Sequence, residues 1–556
     1  MNIHLRRGWH RFGPMPVLGL MLALFAATAG AKDQWFSAKT EHFEVFTNAR
    51  QSDARLLVAQ LEQFRETFLS IRPGKPFREP RTTVVIFDSD RDFRPYKPLY
   101  KGKPKENLAG VFQGNPDEVV IAMSTERDIE QTIPTIYHEY VHLLMHARGV
   151  RLPPWLNEGM AELYETIELE PELVKLGRHN PIHVMQLNHG RLMPLSQLFA
   201  VTHGSPEYNE TARQTLFYAQ SWALVHYCLT AERKNKGTGD GFGDLLALMS
   251  LGVDPEKAMQ QAYGMSLEDM EDKLGAHVRG GRYRITNYRT PKVDYAARVT
   301  FRPASDFERD VALVNLKWRL QRNGDAMYQA MQLAEKNPES ARPQEVMAAI
   351  TRADGERGRS LDYLKEAARL KTANPYVYVQ LAEDSLRQYL IGVKTSFRLQ
   401  AEASAELRGW LDRAIVLDPN YAEAWDWLAL TEAYSERPRN EVVKQLEAKR
   451  KMFGDRPRML AGFALIALRA KQPEFAEHLA EALLGMPSVV RRPARDQVKE
   501  AAVSMNGGRG RSWTERPEYF PEVAAIARAV KAQVTKSKTI DGPGRELEPI
   551  VVEFLD

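Results

Sequence analysis

The chain has 556 residues, 44% of them apolar and 27% charged, which is enough for several domains, each with its own core. Its net charge of +4 falls to +1 without the three arginines of residues 1–31, so no basic excess argues for a nucleic-acid partner. The single cysteine, Cys228, excludes an intramolecular disulfide and reads as a core filler.

Arg6, Arg7 and Arg11 precede an apolar run from Met15 to Thr28, and Ala29-Gly30-Ala31 follows as a small-x-small site. This predicts a secretory signal peptide over residues 1–31, cleaved after Ala31, with an uncleaved anchor as the alternative. The run is short for a membrane span, and no cysteine follows it to carry a lipid. A secreted or periplasmic location is expected, without membrane association beyond this segment.

The alternation in HFEVFTN predicts a strand with Phe43 and Val45 on one face. Leu57, Leu61, Phe64, Phe68 and Leu69 recur at helical spacing over Ala54 to Ile71. Thr82 to Phe87 (TTVVIF) reads as a buried strand. Leu108 to Gln113 and Glu118 to Met123 read as a hairpin around Gly114-Asn115-Pro116-Asp117. One of these strands either borders a substrate cleft, offering its edge to an extended peptide, or only supports the following helix.

That helix carries TIYHEYVHLLMHA, with Ile133, Ile136, Tyr137, Tyr140, Val141 and Leu144 on its apolar side. His138 and His142 lie one turn apart on one face, so both imidazoles can hold one metal ion, with Glu139 beside them as a base. Sixteen residues past His142, Glu158 sits in W-L-N-E-G on a second predicted helix and can supply a third ligand, leaving one open position. Gly159 is expected to let this helix approach the first closely. His146 reads as a helix C-terminal cation rather than a ligand.

HEYVH followed by WLNEGMAE resembles the gluzincin metallopeptidases, nearest to peptidase MA-like domains. The resemblance covers roughly Lys32 to Arg279, and its specific motifs occupy Thr135 to Glu165. It implies Zn2+ as cofactor, His138, His142 and Glu158 as ligands, Glu139 as general base, and peptide or protein as substrate. It also implies Glu162, one turn after Glu158, as the carboxylate that orients a metal-binding histidine, although Glu162 could instead replace Glu158 as ligand. A later-helix tyrosine stabilises the tetrahedral intermediate in that family. Tyr218 in FYAQSWALVHYCL is the first candidate and Tyr208 a weaker one, a core tyrosine being the plain alternative. Glu165 and Glu168 read as a solvated face. His179, His183, His189 and His203 read as loop histidines.

Three further helices, Phe242 to Met249, Pro255 to Tyr263 and Leu267 to Val278, close this region. Residues 281–305 read as a linker with one or two strands, and from Asp306 the pattern is helical. DRAIVLDPNYAEAWDWLA resembles a tetratricopeptide repeat, and Leu381-Ala382 and Phe463-Ala464 fall 47 residues before and 35 after Leu428-Ala429. Three or four degenerate repeats are expected.

The fold class that follows is an α+β metallopeptidase-like domain with an HExxH active-site helix, followed by a tetratricopeptide-like α-helical solenoid. The expected divisions are a signal peptide (1–31), a peptidase MA-like domain (32–280), a linker (281–305), helical repeats (306–486) and a flexible C-terminal region with a short helix from Pro521 to Ala532 (487–556). The expected function is an exported zinc metallopeptidase whose repeat face binds substrate or a protein partner. The alternative is a non-enzymatic periplasmic scaffold with a structural or vestigial zinc site.

Overall fold

Val, Ile and Thr crowd the stretch RTTVVIF, a composition that suits a pleated strand buried on both faces, and it lies inside the main sheet. The computed structural model describes residues 34–486 and 521–539, apart from 73–76, 101–102, 105, 107, 109, 115–116, 127–128, 149, 151, 210, 231–240, 391–397 and 455. The expected signal peptide, the turn residues Asn115 and Pro116, and most of the C-terminal region lie outside the described residues. Among the described residues no helix is long and apolar enough to cross a membrane.

Apart from a small antiparallel pair at Leu99–Tyr100 and Lys103–Pro104, the strands are β1 (Phe36–Lys39), β2 (Phe43–Thr47), β3 (Arg81–Phe87), β4 (Gly110–Gly114), β5 (Glu118–Ser124), β6 (Glu168–Leu169), β7 (Leu173–Leu176), β8 (Thr286–Arg289) and β9 (Arg302–Pro303). Six form one sheet in the order β9-β1-β2-β3-β5-β4. β2, β3 and β5 are parallel, and β4 closes one edge antiparallel to β5 with Phe112 opposite Ile121. A second sheet has the order β8-β7-β6. The expected linker is thus stitched into both sheets, through β8 and β9.

Helix α1 (Gln51–Ile71) makes the crossover from β2 to β3. It packs on one face of the main sheet with α2 (Ile129–Ala147), burying Val45, Val84, Ile86, Ile121 and Met123 beneath Leu61, Phe64, Val141 and Leu144. Phe64 stacks on Tyr137 at 4.1 Å and Phe68 meets Tyr164 at 5.0 Å. This aromatic layer fixes the apolar side of α2, so the opposite side, with His138 and His142, turns toward the helices that follow. Those are α3 (Pro154–Glu165), α4 (Pro181–His189), α5 (Leu195–Ala200), α6 (Pro206–Asn209), α7 (Thr211–Thr230), α8 (Gly241–Ser250), α9 (Pro255–Tyr263) and α10 (Leu267–Gly280).

The other sheet face is covered by the helical array. Val85, Phe87, Val120 and Ala122 pack against Leu316 of α11 (Asp306–Arg319) and Leu320, which caps that helix. The array continues with α12 (Asn323–Lys336), α13 (Arg342–Ala353), α14 (Arg357–Arg369), α15 (Pro375–Leu390), α16 (Ala401–Leu417), α17 (Ala422–Tyr434), α18 (Asn440–Phe453), α19 (Pro457–Arg469) and α20 (Pro473–Leu484). These ten helices make five consecutive pairs among the described residues, where three or four repeats were expected. Within the 47-residue step from Leu381 to Leu428, α15 ends at Leu390 and α16 begins at Ala401. The final helix, α21 (Pro521–Thr539), is longer than expected. It buries Val523, Ile526, Ala527, Val530 and Val534 in the core of the array rather than forming part of a free tail.

Polar contacts also join the array to the sheet. Arg78 bonds Asp117 at 3.0 Å and Asp418 at 2.9 Å, and Tyr421 Oη donates to Asp117 at 2.7 Å. Glu118 accepts from Arg81 at 2.7 Å and from Arg319 at 2.9 Å.

Candidate metal centre

The helical spacing of His138 and His142 brings their Nε2 atoms to 3.2 Å. Glu158 Oε2 lies 3.4 Å from the first and 3.5 Å from the second. The three atoms form a nearly equilateral triangle. A tetrahedral ion with bonds of about 2.0–2.1 Å has ligand-to-ligand edges of about 3.3–3.4 Å, so the donor set fits zinc in both chemistry and spacing. Glu158 Oε2 is buried with no hydrogen-bond partner, as is the neighbouring Glu139 Oε2. Such orphaned carboxylate oxygens are costly unless a cation or ligand satisfies them.

Glu158 arrives there because α3 presses against α7. A Cβ on Gly159 would sit 2.5 Å from Ser221 O and 2.6 Å from Val225 Cγ2. The close approach needed at Gly159 is therefore to α7, not to the HExxH helix as the sequence suggested. The second oxygen of Glu158 accepts from Tyr208 Oη at 2.6 Å, and both residues are buried. This aims Oε2 at the histidine pair.

The outer groups differ from expectation. Glu162 Oε1 is 3.8 Å from His138 Nδ1, too long for a hydrogen bond, while Glu165 Oε2 is at 3.7 Å from the same atom. Glu162 instead makes its short bond, 2.7 Å, to His183 Nε2. Because Glu162 faces Nδ1 rather than the two Nε2 atoms, Glu158 and not Glu162 completes the triangle. Glu165 is not part of a solvated face but one of a second group with His138 and Glu162. His183 is not a loop residue. It is buried on α4, whose start is marked by Asn180 accepting from Ile182 N and by Pro181. His142 Nδ1 is buried and has no partner among the described residues.

Tyr218 is half-buried on α7, with its ring 6.5 Å from that of His138 and 6.1 Å from that of Tyr208. Its hydroxyl also interacts with Tyr208, so the two tyrosines act as a pair and Tyr208 is the one that touches the ligand set. His146 is not brought into either group, His189 is not a loop residue but the exposed last residue of α4, donating from Nδ1 to Met185 O, and His203 packs on Tyr208.

The electrostatics favour a cation. Burial pushes the Glu139 carboxyl up to about 7, against the pull of His138 and His142. For His138, burial disfavours the charged form, but Glu158, Glu165 and Glu162 outweigh it and raise its pKa well above the ordinary value. Glu158 is likewise penalised by burial, yet His142 and His138 hold it well below the usual carboxylate range. Burial and Glu158 raise Tyr208, which keeps its proton and remains a donor. Four carboxylates thus converge on two imidazoles in a site largely removed from water.

Residues 132–236, which carry this whole constellation, match a protein family described as of unknown function (DUF1570). No curated protein matches the chain. A thermophilic TPR protein of Thermus thermophilus matches with 16% identity and a TM-score of 0.23, over 35% of this chain and 97% of that one.

Proposed function

We propose that this chain is an exported zinc-dependent metallopeptidase in which a helical-repeat region serves substrate or partner binding. The observation that carries the reading is the triangle of His138 Nε2, His142 Nε2 and Glu158 Oε2, with edges of 3.2–3.5 Å, beside a buried Glu139 that has an unpartnered oxygen. A zinc ion held by these three residues supplies Lewis acidity, lowering the pKa of bound water to about 7 and polarising a carbonyl.

The protein's own groups account for the rest. Glu139, raised to about 7, is matched to accept a proton near neutral pH and return it to a leaving amine. Tyr208 orients Glu158, Glu162 and Glu165 flank His138 Nδ1 at 3.8 and 3.7 Å, and half-buried Tyr218 carries a hydroxyl that can meet developing oxyanion charge. β4 supports a peptide as substrate. It is a sheet edge pressed to α2, where a Cβ on Gly110 would lie 2.9 Å from Thr132, and Phe112 packs near Tyr140 at 6.4 Å. Its outer backbone groups can pair with an extended chain.

The test is Glu139→Gln assayed on a peptide library, with metal content measured alongside. Cleavage should disappear while about one zinc per chain remains. Zinc retained by both proteins with no cleavage by either would favour the scaffold reading. Cleavage that survives the change would remove Glu139 from the mechanism.

A further inference from the structure

A cavity of about 290 Å³ lies away from the metal group, between the start of β3 and β5 and the inner faces of α11, α13, α14 and α15. Small side chains keep it open, among them Ala348, Ala349, Ala353 and Ser360. Three of its lining residues each carry a buried polar atom without a hydrogen-bond partner, namely Asn315 Oδ1, Trp318 Nε1 and Arg319 Nε. Asn315 is only 3% exposed. At i, i+3 and i+4 on α11, the three residues share one face, so a single occupant can reach all of them.

The charges in the wall select the occupant. Glu118 is already held by Arg81 and Arg319, Glu345 lies 3.4 Å from Arg342, Asp117 bonds Arg78, and Arg352 makes paired bonds of 2.6 and 3.1 Å to Asp384. A strongly charged ligand would have to break one of these pairs. What remains open is one amide acceptor and two N–H donors, the complement of a neutral amide. The Asn315 carboxamide can pair with a peptide N–H and C=O together, and Trp318 and Arg319 can donate to the next carbonyl.

We propose that this cavity is a binding site for a short stretch of uncharged peptide backbone, read through its amides by Asn315, Trp318 and Arg319. Its volume lies near the lower end of small-ligand pockets, about 300 Å³, so it takes two or three small residues rather than a folded partner. The site does not depend on the metal group, and it makes the sheet and the array joint owners of one ligand.

The probe is N-acetyl-trialanine amide, titrated calorimetrically into the purified protein, with unblocked trialanine as the charged control. Saturable binding of the blocked peptide is expected. Asn315→Leu and Ala349→Met should each weaken it at least tenfold. Thermal melts of Asn315→Leu should match or exceed those of the parent, because the amide has no internal partner to lose. A His142→Ala chain should bind as the parent does, which separates this site from the metal reading. Any of four results would overturn the proposal: no binding at millimolar peptide, equal binding by both cavity variants, binding of unblocked trialanine alone, or loss of binding in His142→Ala.

Discussion

Tyr208→Phe isolates the hydroxyl that holds Glu158. The bond is 2.6 Å long, runs from a neutral donor to an ionised carboxylate, and is buried at both ends. Charge-assisted bonds of this kind are worth about 1.5–3 kcal/mol. Losing it leaves Oε1 unpaired and lets the carboxylate rotate away from the histidine pair. At 1.4 kcal/mol per tenfold, the loss in zinc affinity should be about 10- to 100-fold, the usual range for an outer hydrogen bond to a ligand. The assay is zinc competition against a fluorescent chelator at fixed pH, with a thermal melt to show that the variant folds. Tyr218→Phe, which removes the hydroxyl that interacts with Tyr208, should change affinity much less. A folded Tyr208→Phe protein with parental affinity would refute the reasoning, and so would an equal drop in Tyr218→Phe.

Gly159→Ala places a methyl 2.5 Å from the Ser221 carbonyl and should cost about 1–3 kcal/mol or more, read as a lower melting temperature together with weaker zinc retention. Lys371 and Lys471 end helices at φ values of 55° and 57°, where a side chain is strained, so Lys371→Gly and Lys471→Gly should each raise stability by roughly 0.5–1 kcal/mol in denaturant melts. Burial raises the Glu118 carboxyl, but Arg81, Arg319 and Arg342 override that and hold it well below the usual range. Its contribution to stability is therefore full above the unfolded value of about 4.3 and is lost as the pH falls below it. Glu118→Gln should flatten the acid limb of the stability profile, and an unchanged limb would remove Glu118 from the acid response.

Local patterns carried much of this architecture. His138 and His142 are one turn apart whatever surrounds them, and the apolar stripe of α2 determines which side faces the sheet. The strands of β2, β3 and β5 were legible because β-branched runs are short and bounded by turns. What escaped depended on contacts distant in sequence. Tyr208 outranks Tyr218 only because α6 folds back over Glu158, fifty residues away in the chain. His183 could have been placed on a helix, since Asn180-Pro181 is a start signal, but its bond to Glu162 could not. Gly159 signalled a close approach without naming the partner. The repeat count fell one or two pairs short because the other pairs lack the Trp-x2-Leu-Ala pattern of α17 and are defined by stacking alone.

The packing of Leu316 and Leu320 on the far face of the sheet ties the two halves of the chain into one thermodynamic unit. A chain ending near residue 305 would uncover Val85, Val120 and Ala122 where Leu316 and Leu320 now pack, while Phe87 would keep its contacts with Trp35, Phe93 and Tyr96. Burying a Val side chain is worth about 1.5–3 kcal/mol, so uncovering Val85 and Val120 would cost up to about 3–6 kcal/mol, a large share of the roughly 5–15 kcal/mol that holds a typical domain. The first helix of the array is in effect the third layer of the fold that carries His138, His142 and Glu158. Heating should accordingly unfold the two together in a single transition, and an excised N-terminal half should aggregate through its sheet rather than survive as a folded domain.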